Sequence, residues 1–151
     1  MLAQVGEPPP ETVLAAVLAL TDYTTPTQVA TIPEWSDAET TWRVFGCTER
    51  ILFEVTGHKV VGDWYGGGRA DRGDGQTVTA RAVPLSRVTG MVLELSDVSP
   101  GDFGDPVLGL RGTWRIACEA GIELALPTRA SSHQTREALD GIARTVVTAL
   151  S

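Results

Sequence analysis

Between Thr40 and Leu126 apolar and polar residues alternate in short runs, and a period of two marks half-buried strands. Seven strands are predicted: Trp42 to Cys47, Arg50 to Val55, Lys59 to Tyr65, Gln76 to Val83, Val88 to Leu95, Val107 to Glu119, and Ile122 to Leu126. The breaks at Thr48-Glu49 and Gly57-His58 are too short for the crossover a parallel pair needs, so these strands form antiparallel hairpins. Pro84 cannot donate to a ladder and interrupts the fourth strand. The run from Val107 alternates most cleanly. Leu110, Gly112, Trp114, Ile116 and Cys118 share one side, and Arg111, Thr113, Arg115, Ala117 and Glu119 the other. One face is therefore buried and one solvated.

The period lengthens at both ends of the chain. Pro8, Pro9 and Pro10 precede Glu11, which suits the first turn of a helix. Val13 to Leu20 continues it and is apolar nearly all round, which demands burial or a partner. Val13, Leu14, Val17 and Leu18 are therefore candidate interaction residues. Thr24 to Thr27 ends the helix, and the stretch to Asp37 reads as a connector lying extended on the body. Its anchors, Ile32 and Trp35, join the interaction candidates. Near the C-terminus, Ser131 to Gln134 offers an N-cap. Leu139, Ile142, Val146 and Leu150 then form a stripe that can cover the open end of the strands, and Asp140 can pair with Arg144.

The fold class expected is α+β and mainly antiparallel β, with a C-terminal helix and an extra N-terminal one. Residues 1–40 form an acidic helical extension and connector, and residues 41–151 the strand-and-helix domain.

Charge sharpens that division. The chain has 151 residues, is 42% hydrophobic and carries a net charge of −7. That length suits one domain with a real core. Before Arg43 there is no Lys or Arg, so the first quarter is acidic and the remainder nearly neutral. An acidic chain is repelled by phosphate backbones and by anionic bilayers, which argues against nucleic-acid and membrane partners. Lys59 is the only lysine, a bias that fits codon usage in a GC-rich bacterial genome. Cys47 and Cys118 lie far apart in apolar runs and read as buried thiols of a reducing compartment. No basic leader precedes an apolar stretch, and no stretch approaches the roughly 20 residues of a span, so a cytoplasmic protein is expected.

Candidate chemistry is sparse. The glycine-rich run from Gly66 to Gly75 lacks the Lys and the following helix of a nucleotide loop, and reads as an exposed loop, as does Ser99 to Pro106. Asp71 with Asp74, and Asp102 with Asp105, lack the spacing of a calcium loop. His58 and His133 have no triad partner at a telling distance. Trp42, Trp64 and Trp114 sit on strands and read as core. The expectation is no catalytic set, no metal and no cofactor.

Two segments carry a family resemblance. Val44 to Phe53, with its Thr48-Glu49-Arg50 step, resembles the first hairpin of bacterial pleckstrin-homology-like domains. Val83-Pro84-Leu85-Ser86-Arg87-Val88 is similar to the step before their fifth strand. The resemblance spans about residues 41–151 and implies a seven-stranded barrel or sandwich capped by the C-terminal helix. It also implies anion contacts by basic residues near the first hairpin, for which Arg43, Arg50 and Lys59 are the candidates. The family's other habit, a scaffold for protein partners, suits this chain better. The expected function is thus a non-catalytic module for protein–protein interaction or self-association, its small-molecule ligand unknown. A START-like helix-grip carrier of a small apolar ligand is the alternative, and anionic-lipid binding comes third.

Overall fold

The computed structural model describes residues 9–35, 39–59, 76–98, 110–128 and 132–151. Helix α1 (Glu11–Leu20) is followed by strands β1 (Gln28–Trp35), β2 (Thr40–Cys47), β3 (Ile51–Lys59), β4 (Gln76–Pro84), β5 (Val88–Val98), β6 (Leu110–Cys118) and β7 (Glu123–Pro127). Helix α2 (His133–Leu150) closes the chain. The class is α+β, with one antiparallel sheet of order β1-β2-β3-β4 and another of order β5-β6-β7. The strands do not join into one closed barrel, because β4 pairs only with β3 and β5 only with β6 among the described residues.

Two elements differ from the sequence expectation. The connector is strand β1, which pairs with β2 from Gln28↔Cys47 to Trp35↔Thr40. Its Pro33 hides the strand signal, yet an edge position tolerates a missing donor. Gly57-His58 is no turn; β3 runs through both to Lys59, where Thr40 faces it. The strand expected from Lys59 to Tyr65 lies beyond Lys59 outside the described residues, as do Trp64 and the two loops at 66–75 and 99–106.

The four-stranded sheet is covered on both faces. Trp42 and Val44 of β2, Phe53 and Val55 of β3 and Val29 of β1 meet Val13 and Val17 of α1. Phe45, Cys47, Leu52 and Val83 point the other way, into a larger core with Ile116, Leu124 and Leu126 of the second sheet. Ala138, Leu139, Ile142, Ala143 and Val146 of α2 complete that core. Helix α2 lies chiefly against β1 and also touches β5, β2 and β7. Ser132 caps it by accepting the Thr135 N–H at 3.1 Å.

Two glycines are set by close approach. A Cβ on Gly46 would lie 2.3 Å from Phe53 Cζ, its cross-strand partner's ring. One on Gly112 would lie 2.0 Å from the Glu94 carbonyl, beside the second of two register shifts in β5. The end of α1 uses left-handed residues instead of glycine. Asp22 donates its N–H to Ala19 O at 3.4 Å and Tyr23 to Leu18 O at 2.8 Å, with φ of 53° and 60°. This is a Schellman ending built without glycine.

Candidate interaction surface

The six interaction candidates separate in space. Val13 and Val17 are wholly buried against the chain's own sheet. Leu14 is half-buried at the margin of that core, while Leu18, also half-buried, packs into neither core. Ile32 joins the opposite core, on the far face of the sheet. Trp35 ends β1 opposite Thr40.

The three anion candidates are not brought together either. Arg43 faces the second sheet, 3.8 Å from Glu34 and 5.0 Å over the Phe45 ring. Lys59 shares a face with Thr40 at the far end of β3 and is only 3% exposed. Arg50 sits in the β2–β3 turn at the opposite end of the strands. Thr48 shapes that turn by accepting the N–H groups of Arg50 and Ile51. A pocket of about 470 Å³ beside it is lined by Thr21, Asp22, Thr24, Glu49 and Arg50. Two carboxylates around one guanidinium do not favour an anion there. A second pocket, of about 510 Å³, lies across Glu49 between Leu85, Ser86 and the last turns of α2.

Ionisable groups elsewhere are arranged in pairs. Arg81 lies 3.7 Å from Glu54. Arg115 reaches Glu94 and Glu123 at 2.8 Å each on the exposed face of the second sheet. Hydrogen bonds to those two carboxylates hold its guanidinium above the ordinary value. His58 stands 3.4 Å from Glu39 and 3.2 Å from the Thr41 hydroxyl, and His133 stands 2.9 Å from Glu137. Asp140 and Arg144 pair along α2. Among the described residues no group of three or more His, Cys, Asp or Glu could hold a metal ion. No helix among them is long and apolar enough to cross a membrane.

What the strand order leaves open is an edge. Among the described residues four strands are edges: β1, β4, β5 and β7. Strand β1 carries Pro33 and lies against α2. Strand β7 has five residues and ends on Pro127. Strand β5 is broken by two register shifts. Proline, shortness, bulges and covering helices are the usual ways of blunting an edge. Strand β4 has helix α1 packed on its face and Pro84 at its end, but no proline or register shift along its middle. It pairs without interruption over nine residues, from Gln76↔Lys59 to Pro84↔Ile51.

The phase of that edge follows from one hydrogen bond. In an antiparallel ladder a residue sends its N–H and C=O to the same neighbour, and the next residue sends its pair the other way. Leu85 donates to Arg50 O at 2.8 Å, in register with the β3–β4 ladder. Thr77, Thr79, Arg81 and Val83 therefore face β3. Val78, Ala80 and Ala82 turn their backbone groups outward, and among the described residues no strand lies beyond them. Pro84 falls in the outward set, where its missing N–H costs no ladder bond. The side chains of Val78, Ala80 and Ala82 share the face that carries α1, and Ala80 and Ala82 are exposed. The sequence reading did not single out these three residues. The signal that could have found them is the spacing of Pro84, which shares its parity with Val78, Ala80 and Ala82.

Comparison of the chain with protein-family models, with curated proteins and with solved structures found no match.

Proposed function

We propose that this chain is a non-catalytic, pleckstrin-homology-like binding module of the cytoplasm that takes a protein partner along the free edge of β4. The observation that carries the reading is the row of outward N–H and C=O groups at Val78, Ala80 and Ala82, beyond which no strand lies among the described residues. An extended segment laid there gains main-chain hydrogen bonds, the physical basis of strand addition. Four strands, then three, then a helix packed against both sheets also suits the pleckstrin-homology-like layout. The pairing of Arg43, Arg81, Arg115, His58 and His133 with carboxylates agrees with a scaffold role for these groups.

The test is a peptide-display selection on the immobilised protein, followed by amide-exchange mapping of the bound state. Extended segments should be selected, and the amides of Val78, Ala80 and Ala82 should become protected. Ala80→Pro should abolish binding, since it removes an outward donor and leaves the β3 ladder intact. Protection confined to other strands, or hydrolase or transferase turnover by the purified protein, would overturn the proposal.

A further inference from the structure

Resting on β4 as the binding edge, we infer that the segment it takes is basic, and that one of its lysine or arginine side chains seats in the pocket of about 470 Å³ at the Pro84 end of that strand. Position comes first. Arg50 and Ile51 line the pocket, Ile51 is paired with Pro84, and the Leu85 N–H donates to Arg50 O at 2.8 Å. Past Pro84 the chain itself turns away and buries Leu85 in the opposite core. A strand added to β4 lies one strand spacing outside it, and the pocket rim on β3 lies one spacing inside. The gap is about 10 Å, or roughly three residues of extended chain. A segment paired with Val78, Ala80 and Ala82 therefore delivers the residues just beyond its paired stretch to the pocket.

The lining of the pocket calls for hydrogen-bond donors and positive charge. Thr21 donates its hydroxyl to Val17 O at 3.0 Å, Thr24 to Thr21 O, and Thr27 to Cys47 O at 3.0 Å. A hydroxyl carries a single proton, so these threonines have committed theirs and offer the pocket only lone pairs. Asp22 and Glu49 add two exposed carboxylates. Helix α1 ends here with no basic residue in its last turn, and its end contributes about half a negative charge. Arg50 is the one cation on the lining and does not balance that set. An ammonium or guanidinium brings several donors and a positive charge together, whereas a carboxylate or phosphate brings neither. Long-range charge acts in the same direction. The chain carries −7 and has no Lys or Arg before Arg43, so a basic segment is drawn toward the α1 side of the sheet. Arg81, the base on β4 itself, lies on the face away from α1 and has Glu54 at 3.7 Å.

The experiment measures, by fluorescence anisotropy, how tightly the full chain binds peptides selected on it by display, beside amide-exchange mapping of each complex. Selected peptides should carry Lys or Arg about two to four residues beyond the stretch that protects Val78, Ala80 and Ala82. Asp22→Asn combined with Glu49→Gln should weaken the tightest of them by about fivefold. Asparagine accepts the left-handed φ of 53° at position 22, so the double variant keeps its fold. Arg50→Gln should tighten binding by about twofold. Replacing the peptide's base by glutamine should cost about the same fivefold and should cancel the effect of the double variant, since both changes remove one interaction. Glu137→Gln, which removes an exposed charge on α2, should change nothing. Peptides that protect the three amides, show no preference for a base and bind the double variant as tightly as wild type would overturn the inference and leave the edge reading standing. Basic peptides that bind while the three amides still exchange freely would overturn the edge reading, and this inference with it.

Discussion

Val17 and Leu18 are neighbours in an apolar helix, yet the structure gives them opposite roles. Val17 is wholly buried between Trp42, Val44, Phe53 and Val55, and Leu18 packs into neither core. Val17→Ala removes two buried methyl groups, worth about 1.6 kcal/mol at ~0.8 each. The cavity left behind adds roughly 0.5–1 kcal/mol. Alanine's higher helix propensity returns about 0.5 kcal/mol. The net loss is about 2 kcal/mol, a sizeable part of the ~5–15 kcal/mol that holds a domain together. Leu18→Ala, at a half-buried position, should lose about 1 kcal/mol, roughly half as much, although it deletes more atoms. Urea unfolding followed by tryptophan fluorescence reads both, since Trp42 lies in the affected core. For a slope of about 2 kcal/mol/M, Val17→Ala lowers the midpoint by about 1 M and leaves the slope unchanged. A Leu18→Ala loss equal to or larger than that of Val17→Ala would refute the placement of α1.

Three further outcomes are expected. Gly46→Ala drives a Cβ into the buried Phe53 ring and to 2.8 Å from the Gln28 carbonyl, so it should cost about 1–3 kcal/mol; thermal melts of G46A with and without Phe53→Leu check it, the second change restoring part of the loss. Tyr23→Gly relieves a left-handed tyrosine at φ 60° and should raise stability by about 1 kcal/mol, or Tm by roughly 2–4 °C; a lower Tm would contradict the strain. Burial pushes the Cys118 thiol above its ordinary 9.0, against a smaller opposing pull from Arg81. With the folded value above the unfolded one, the thiol's contribution is fully present below pH 9 and drains as pH rises through the folded value. Urea midpoints should therefore fall above pH 9, and Cys118→Ala should lose less across the same pH range.

Where side-chain period determines structure, the chain was readable. Both helices and the alternation of β6 stand where the pattern puts them. Strand β1 was hidden because Pro33 and Glu34 break its apolar run, while its pairing to β2 depends on residues distant in sequence. Gly57-His58 looked like a turn because glycine and a polar residue are common there. Within β3 the glycine is paired with Trp42 of β2 and the strand continues through it. The edge was less legible still. Alternation reports which face a side chain takes, whereas an edge is defined by a missing neighbour, which no local pattern encodes. Only the parity of Pro84 carried that information, and it acquires meaning once the β3 register is known.

A sheet covered on both sides has an unusual relation to its own alignment. In most half-solvated sheets a slip of one residue turns the apolar set toward water, and the cost forbids it. Here a slip along β2 and β3 would exchange Trp42, Val44, Phe53 and Val55 with Phe45, Cys47 and Leu52, moving each group from one dry layer to the other. Solubility preferences therefore discriminate weakly between the native alignment and its neighbours. Discrimination falls to shape: the ring of Phe53 seated over Gly46, Gln28 against Gly141 of α2, and the hydroxyl of Thr48 measuring out the turn. Misaligned hairpins of comparable hydrophobic content are thus the natural off-pathway species of this chain. Its refolding should carry a slow phase that Thr48→Ala enlarges, as escape from those species waits on the turn being measured correctly.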